Sequence, residues 1–252
     1  MDKSLIAATL LGLTMAVSPI GGASAADLKV IAGGGMTVPL KELSPQFERA
    51  TGHKLDIAFA ATPELIKMAT SGDPMDLAVV PVDVMKDAGA RAKFAPEPTT
   101  DIARVGFGVA VKAGAPKPDV STPDALKQTL LNAKSITFLP ESAAGAYVIK
   151  VFDRLGICDA MKAKTKAQKS AVEIPKAVAN GEAELGIFLS NVLTAPGVDF
   201  AGPFPGDLQQ DLVFTGAVAA GSKDAAAANA FLDYLKTPEA VAVIKAKGMR
   251  PG

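Results

Sequence analysis

The sequence is poor in the residues that build covalent and metal chemistry: its 252 residues include one cysteine, one histidine and no tryptophan. Cys158 has no second cysteine to pair with, so an intramolecular disulfide is excluded. We interpret Cys158 as a buried, inert thiol and His53 as a surface residue between a helix and a strand. No metal-ligand cluster, Walker motif or nucleophile elbow occurs in the sequence. We therefore expect no metal and no cofactor.

An excess of charge of either sign is also absent, because 26 basic and 26 acidic side chains give a formal net charge of zero. The lysines are scattered, so the chain offers no basic face to nucleic acid or to an anionic membrane surface. Hydrophobic residues make up 49% of the chain, which is enough for one large or two modest lobes with cores of their own. We expect a globular protein without a nucleic-acid partner.

Long hydrophobic runs are missing too, and the longest one lies at the N-terminus. Lys3 precedes an apolar segment, Leu5 to Val17, that is too short to span a bilayer. The small residues Ala23-Ser24-Ala25 then form an A-x-A cleavage site before Ala26. The pattern predicts a secretory signal peptide over residues 1–25 and an exported, periplasmic mature protein. No cysteine follows the cleavage site, so a lipid anchor is not indicated.

The stretch Leu28 to Leu43, LKVIAGGGMTVPLKEL, indicates an apolar strand that ends at a tight turn and opens a helix. The run from Ala60 to Glu64 repeats this arrangement, and Ser142 to Tyr147 begins a third helix after a strand. Helix N-termini carry unpaired N–H groups that bind anions, and Gly33 to Gly35 lets backbone approach a ligand closely. An anion cradle and a merely flexible turn both remain open on this evidence alone.

Strands and helices alternate along the chain, which predicts an α/β fold with mostly parallel sheets. One such unit precedes about Val105, a second runs from Gly106 to about Thr215, and the last two helices have no strands of their own. We expect these helices to return to the first unit. The predicted domains are therefore lobe 1, residues 26–105 plus 216–252, and lobe 2, residues 106–215, joined by two crossing strands beside a cleft. The Gly/Pro-rich passage 196–206 is expected to lie outside the sheets.

Six segments of the sequence resemble the extracytoplasmic molybdate-binding proteins of ABC importers. They are GGGMT at 33–37, FAATPEL at 59–65, GDPMDLAVV at 72–80, PESAAGAY at 140–147, EAELGIF at 182–188 and AFLDYLKTPEAV at 230–241. The resemblance covers essentially the whole mature chain in the same order. It implies a type II periplasmic binding protein: two α/β lobes, each a mixed, mostly parallel sheet flanked by helices, with a two-strand hinge. It also implies a monomer that serves an inner-membrane ABC permease.

The resemblance further implies an oxyanion held by hydroxyls and backbone N–H groups without a neutralising cation. The family's two serines fall on Gly35 and Thr62, its backbone donors on Ala144 and Ile174, and its tyrosine on Leu189. The full set of ligand-binding residues predicted for this chain is Gly34, Gly35, Met36, Thr37, Ala61, Thr62, Ser142, Ala143, Ala144, Gly145, Tyr147, Ile174 and Leu189.

Two of these positions have lost their donor side chains, because glycine at 35 and leucine at 189 carry no hydroxyl. A hydrogen bond to a charged group contributes roughly 1.5–3 kcal/mol, so both losses together weaken binding of a dehydrated tetrahedral anion by about two to four decades. Molybdate or tungstate, and a larger organic anion such as a carboxylate, therefore stay open as ligands. Lys176 and Asn191 are further candidates for replacement polar contacts.

Two other classes of function are compatible with the sequence. A ligand-sensing partner of a membrane receptor uses the same closure of two lobes, and the sequence does not separate it from a transport protein. An enzyme with a carboxylate pair drawn from Glu64, Glu141 and Glu173 is disfavoured, because acidic residues in the first turn of a helix are explained by the helix dipole. We expect that the protein is not an enzyme.

Overall fold

The computed structural model describes residues 25–96 and 99–252, so the predicted signal peptide lies, except for Ala25, outside the described residues. The strands are β1 Asp27–Gly33, β2 Lys54–Ala60, β3 Leu77–Pro81, β4 Thr100–Val105, β5 Phe107–Lys112, β6 Ile136–Phe138, β7 Thr165–Ala167, β8 Leu185–Leu189, β9 Val198–Pro203, β10 Leu212–Val218 and β11 Arg250–Pro251. The helices are α1 Thr37–Thr51, α2 Thr62–Thr70, α3 Ala88–Arg91, α4 Pro123–Asn132, α5 Ala143–Arg154, α6 Cys158–Lys164, α7 Glu173–Ala179, α8 Ala225–Tyr234 and α9 Pro238–Ala246. Short 3₁₀ turns precede α1, follow β3 and precede β10.

Lobe 1 is built on a sheet with the order β11-β4-β10-β3-β1-β2. Its strands β1, β2 and β3 are parallel, whereas β10 runs antiparallel to both β3 and β4. Helix α1 packs against α9, and α8 packs on β10, which agrees with the expectation that the last two helices return to this lobe. Apolar residues on the two faces of the sheet separate into two core clusters, one of them under α2 and α3.

Lobe 2 is built on a second sheet with the order β7-β6-β8-β5-β9. Strands β6, β7 and β8 are parallel, and β5 runs antiparallel to its neighbours β8 and β9. Helices α5 and α7 pack on this sheet through side chains that are fully buried, including Val148 and Ile174. Parallel strands covered by helices read as continuous apolar runs, which is why β8, LGIFL, was visible in the sequence.

The chain crosses between the lobes twice, once at Gly106 and once through residues 204–211. The two-lobe α/β architecture predicted from the sequence is therefore confirmed. The predicted boundary at residue 215 is corrected, because β10 pairs with the first sheet from Leu212 onward. Residues 212–215 thus belong to lobe 1, and the boundary expected from the sequence cuts through a continuous strand.

The two crossing segments are joined by one side chain. The Gln209 amide accepts a hydrogen bond from the Phe107 N–H at 2.8 Å and donates one to the Phe107 carbonyl at 2.9 Å. This pairing imitates a strand partner, and Gly106 leaves room for it, because a Cβ there would lie 3.0 Å from Gln209 Oε1. The crossing segments therefore form a single hydrogen-bonded unit.

Three expectations differ from the structure in their details. Strand β9 lies inside the passage 196–206 that was expected to be a loop; as the edge strand of its sheet it tolerates the Gly202-Pro203 pair. Cys158 is partly exposed rather than buried. His53 is half-buried, and its Nδ1 accepts a hydrogen bond from the Ala26 N–H at 3.0 Å.

Candidate functional site

The three turns singled out in the sequence converge between the lobes. Each turn follows the carboxyl end of a parallel strand, where helix N-termini of an α/β protein meet. Most of the predicted ligand-binding residues line one narrow cavity here, which we call the inner cavity; they are Gly34, Gly35, Ala61, Thr62, Ser142, Ala143, Ala144 and Leu189. The sequence therefore located the place where backbone donors from both lobes meet.

The inner cavity is small, with a volume of about 20 Å³. A volume of this size holds about one water molecule. A tetrahedral oxyanion, with five heavy atoms, does not fit into it. Side chains that the sequence reasoning did not assign to the site fill the remaining space, above all Phe188 and Phe214.

Thr62 and Ala143 bind each other across the cleft. The Ala143 N–H at the start of α5 donates to Thr62 Oγ1 at the start of α2, at 2.9 Å. Two groups expected to hold an anion are therefore paired directly between the lobes. Ser142 is also engaged, because its hydroxyl caps α5 by accepting from the Gly145 N–H and donates to the Leu139 carbonyl.

The glycine turn holds an aromatic ring rather than an open approach to a ligand. A Cβ on Gly33 would lie 2.7 Å from Phe214 Cε1, and a Cβ on Gly35 would lie 2.7 Å from Phe214 Cζ. On Gly35 it would also lie 2.8 Å from Leu189 Cδ1, which belongs to the other lobe. The absence of side chains at these glycines is thus required by packing, and close approach of this backbone to a ligand stays a prediction.

Several predicted site residues lie elsewhere. Met36 is fully buried in the lobe 1 core, and the N–H of Ile174 is bonded to the Ala171 carbonyl within its own turn. Gly145 is buried where a Cβ would lie 1.9 Å from the Leu139 carbonyl oxygen, so it serves helix packing. These residues do not face the inner cavity, because their backbone or side chain is already used by the core.

Tyr147 and Thr37 lie beside the inner cavity rather than in it. The Tyr147 hydroxyl donates to the Leu208 carbonyl at 2.9 Å, and partial burial raises the pKa of this hydroxyl. The Thr37 hydroxyl donates to the Gly34 carbonyl at 2.8 Å, which closes the turn before α1. Both residues line neighbouring cavities instead.

Asn191 forms a second direct contact between the lobes. Its Nδ2 donates to the Gly35 carbonyl at 2.8 Å, and the side chain is 6% exposed. Among the described residues no partner reaches its Oδ1. The sequence analysis placed Asn191 only beside a turn, and it is the fold that brings residues 35 and 191 together.

Two larger cavities adjoin the glycine turn, since Gly34 lines both of them, and we call them the rim cavities. One has a volume of about 250 Å³ and is lined by Thr37, Lys41, Lys169 and Ser170, among others. The other, about 270 Å³, is lined by Val38, Val172, Lys176, Val192 and Ala195, among others. Lys41, Lys169 and Lys176, which we call the rim lysines, are all exposed, so lysines from both lobes line these spaces.

The side chain of Glu173 holds the turn that carries Lys169 and Ser170. Its carboxylate accepts hydrogen bonds from the N–H groups of Lys169 and Ser170, both at 3.0 Å. The bond from the Lys169 N–H is the main cause that lowers the pKa of Glu173 below its ordinary value. These two backbone donors are consequently occupied by the protein itself, and the rim lysines are the positive groups left facing the cavities.

The three glutamates from which a catalytic carboxylate pair could be drawn each have different surroundings. Glu64 lies 3.5 Å from Lys67 on the surface of α2, and Glu173 is bound by the backbone as described. Glu141 lines a third cavity, of about 410 Å³, next to the crossing segments. Within residues 25–96 and 99–252 there is no group of three potential metal ligands, and no helix there is long and apolar enough to cross a bilayer.

Two lobes whose helix N-termini meet at an interlobe cleft define the class of bacterial solute-binding proteins. The chain belongs to the family described as bacterial extracellular solute-binding protein, whose model matches residues 28–250. The predicted resemblance to molybdate-binding proteins is also confirmed: the chain is 29% identical over 239 residues to the molybdate-binding protein ModA of Azotobacter vinelandii, covering 90% of each chain.

Two further comparisons extend this result. The chain is 34% identical over 231 residues to a protein of Pseudomonas sp. named aconitate isomerase, covering 89% of this chain and 87% of that protein. The solved structure of the periplasmic molybdate-binding protein of Azotobacter vinelandii superposes with a TM-score of 0.75 at 21% identity, covering 90% of this chain and 100% of that chain. The type II fold is therefore established, while relatives with this fold differ in what their names say they act on.

Proposed function

We propose that this chain is an exported solute-binding protein that holds an organic anion with more than one carboxylate group and passes it to an inner-membrane ABC permease. The observation that carries the proposal is the contrast between the filled inner cavity and the open rim cavities. The position for a compact oxyanion holds about 20 Å³ of free space. The rim cavities offer about 250 and 270 Å³ beside the rim lysines.

The chemistry of the inner cavity disfavours a small, strongly hydrated anion. Such an anion loses its hydration shell on entry and must regain equivalent hydrogen bonds from the protein. Gly35 and Leu189 supply no hydroxyl, and the Thr62 hydroxyl and the Ala143 N–H are already paired. Molybdate, tungstate and sulfate are therefore the less favoured ligands.

The chemistry of the rim cavities favours a charged ligand with a carbon body. Ammonium groups of Lys41 and Lys169 border one cavity and Lys176 borders the other, so carboxylates on one molecule can face lysines from both lobes. Between them, Val38 and Val172 are exposed by 47% and 39% and offer apolar surface. Specific sites combine apolar walls with a few placed charges in this way.

The relatives support the same choice. The identity to the protein named aconitate isomerase, 34%, exceeds the identity to the molybdate-binding protein, 29%, over chains of similar length. Aconitate is an unsaturated tricarboxylate, so it belongs to the ligand class that the rim cavities favour. We therefore take a tricarboxylate of this type as the first ligand to test.

The test is a thermal-shift and calorimetric screen of the mature protein, beginning at Ala26, against cis-aconitate, trans-aconitate, citrate, molybdate, tungstate and sulfate. A ligand at about 100 times its Kd adds about 2.7 kcal/mol, which raises the Tm of a protein of this size by about 5–11 °C. We expect such a shift with at least one tricarboxylate and none with the oxyanions. A rise in Tm with molybdate or tungstate alone would show that the protein binds oxyanions and not tricarboxylates.

A second candidate function is catalysis, and it is favoured by the name of the 34% identical relative. Interconversion of cis- and trans-aconitate can proceed by removal of a proton from the methylene carbon and its return at the other end of the allylic system. A cleft that excludes water and holds three carboxylates by lysines would assist such a proton shift. Catalysis requires, in addition, a proton acceptor in contact with the methylene group.

Proton NMR in D₂O distinguishes the two candidates. The mature protein is mixed in catalytic amount with either isomer of aconitate, and the signals of both isomers are followed. Appearance of the other isomer with deuterium at carbon establishes catalysis. Tight binding without conversion or exchange assigns the protein to transport or sensing. Permease and ATPase genes beside its own gene would then favour import, and a sensor-kinase gene would favour signalling.

The proposed export has a direct test as well. Mass spectrometry of the protein from a periplasmic extract should give the mass of a chain that begins at Ala26. A protein that retains residues 1–25 in the cytoplasmic fraction would contradict both the predicted signal peptide and the periplasmic location.

A further inference from the structure

We propose that Phe214 is the residue that sets the size of the anion this protein accepts, by occupying the space in which a compact oxyanion would bind. The inference rests on the proposed function in one respect: it explains why a larger ligand at the rim replaces a small one inside. Its own evidence is the packing of a single aromatic ring against the glycine turn.

Phe214 lies on β10, opposite Pro81 of β3, and is 1% exposed. Its ring lies against the turn that follows β1. Cβ atoms built on Gly33 and on Gly35 would each lie 2.7 Å from an edge atom of this ring. Contacts below 3.0 Å are not sustained by carbon atoms, so the ring and these glycines depend on one another.

This mutual dependence links two features that look unrelated in the sequence. A serine at position 35 would point its Cβ, and the hydroxyl beyond it, into the space of the phenyl ring. A side chain at 35 and the ring of Phe214 in its present position therefore compete for the same space. The missing donor and the added bulk are two parts of one change in the site.

Leu189 completes the apolar filling from lobe 2. Its Cδ1 would lie 2.8 Å from a Cβ on Gly35, next to the position of Phe214 Cζ. The two side chains thus both border the turn at Gly35 and line the inner cavity together with Thr62 and Ala143. Apolar surface at this point denies a hydrated anion the hydrogen bonds that would replace its water.

Phe214 rather than Leu189 is the primary determinant, because it belongs to the same sheet as the glycine turn. Its position is therefore fixed within lobe 1, whatever the separation of the lobes. Leu189 reaches this place only through the approach of lobe 2.

The experiment compares Phe214→Ala and Phe214→Leu with the unchanged protein, using molybdate, tungstate and sulfate as probes in isothermal titration calorimetry. We expect at least about a tenfold gain in affinity for one of these oxyanions in Phe214→Ala and a smaller gain in Phe214→Leu. Phe231→Leu is the matched control, because Phe231 is also fully buried but lies on α8 and not at the inner cavity. This control should show no gain.

The outcomes separate this inference from the proposed function. Oxyanion binding by the unchanged protein that is as tight as in the Phe214 variants overturns the inference, as does equal gain in Phe231→Leu. Tricarboxylate binding by the unchanged protein without oxyanion gain in either Phe214 variant overturns the inference and leaves the function standing. A gain in oxyanion affinity in a Phe214 variant, without tricarboxylate binding by the unchanged protein, supports the inference and overturns the proposed function. If Phe214→Ala does not fold, the milder Phe214→Leu variant decides.

Discussion

The inner cavity and the rim cavities lie side by side in the same cleft but use opposite means to define a ligand. The inner cavity has backbone donors from both lobes, yet its free volume is about 20 Å³ and apolar side chains fill it. The rim cavities are some tenfold larger and are bordered by Lys41, Lys169 and Lys176. The proposed function therefore places the anion at the rim, although helix N-termini from both lobes still meet at the inner cavity.

This contrast shows how a ligand class can change without a change of fold. Helix N-termini are fixed by topology, because they follow from where the parallel strands end. Side chains such as Phe214 and Leu189 are free to occupy the space between them. Relatives with the same two lobes can therefore act on different molecules, as their names indicate.

The largest effect is expected from a side chain placed inside the inner cavity. Gly35→Ser puts a Cβ within 2.8 Å of both Phe214 and Leu189, so the lobes can no longer approach as they do. We expect a loss of about 1–3 kcal/mol in the free energy of unfolding, as for other overpacked cores, together with weaker ligand binding. Chemical denaturation and calorimetry measure the two effects.

Gly221→Ser is the matched control for this substitution. Its φ is not positive, and a Cβ there meets nothing within 4 Å. The control should keep both stability and affinity. Equal stability of Gly35→Ser and Gly221→Ser would show that the inner cavity accommodates added volume, and the contrast between the two parts of the cleft would then fail.

The next effect concerns the hydrogen bond that joins the lobes. Thr62→Val keeps the shape of the side chain but leaves the Ala143 N–H without its acceptor. An unsatisfied buried donor costs about 1–3 kcal/mol, and less where water replaces the partner. We expect lower stability and a larger radius of gyration by small-angle scattering, because the closed arrangement of the lobes loses this contact.

Thr70→Val serves as its control, since Thr70 lies exposed at the end of α2 and its hydroxyl bonds only to carbonyls of its own helix. An unchanged radius of gyration in both variants, with unchanged ligand affinity, would mean that the Thr62–Ala143 bond does not hold the lobes together. The inner cavity would then be closed by apolar packing alone.

A moderate effect is expected at the rim. Lys41→Met and Lys169→Met each remove one ammonium group from the lining of the rim cavity of about 250 Å³. Exposed charge pairs contribute up to about 1 kcal/mol, so each change should weaken tricarboxylate binding by about two- to fivefold. Added salt should reduce the difference between variant and parent, because it screens exposed charges.

Lys162→Met on α6 is the control for the rim lysines, because this exposed residue lies outside the cavities of the cleft. It should bind as the parent does. Affinity that is insensitive to Lys41→Met and to Lys169→Met, while the Phe214 variants change it, would move the carboxylate site from the rim into the inner cavity.

The sequence predicted the fold because the information for it is local. Apolar runs, Pro at the first turn of α2, α4 and α9, and Gly52 in the left-handed conformation after α1 define where elements begin and end. The two final helices, which have no strands of their own, already predicted a return to the first of two lobes, and the resemblance added the type II fold. The three turns at the cleft were likewise visible, since each is a strand followed by small residues and a helix.

The contents of the cleft could not be predicted in the same way. Phe214 is far from the glycine turn in sequence and reaches it only because β10 crosses back into the first sheet. The contacts of Asn191 with Gly35 and of Gln209 with Phe107 also join distant residues. Local patterns say nothing about such pairs, so the sequence identified the backbone of the site and not the side chains that fill it.

The smallest effect is expected from Glu173 of lobe 2, whose carboxylate holds the Lys169–Ser170 turn beside the rim cavities. Its carboxylate binds the N–H groups of Lys169 and Ser170, and chiefly the first of these lowers its pKa. A carboxyl whose pKa is lower in the folded than in the unfolded protein stabilises the fold above the unfolded pKa, about 4.3 for glutamate. This contribution is lost as the pH falls through the folded pKa. Glu173→Gln should therefore lower the Tm slightly near neutral pH and converge with the parent as the pH falls below the lowered pKa of Glu173. A difference in Tm that stays constant through the acid range would mean that the Lys169–Ser170 turn does not depend on the charge of this carboxylate.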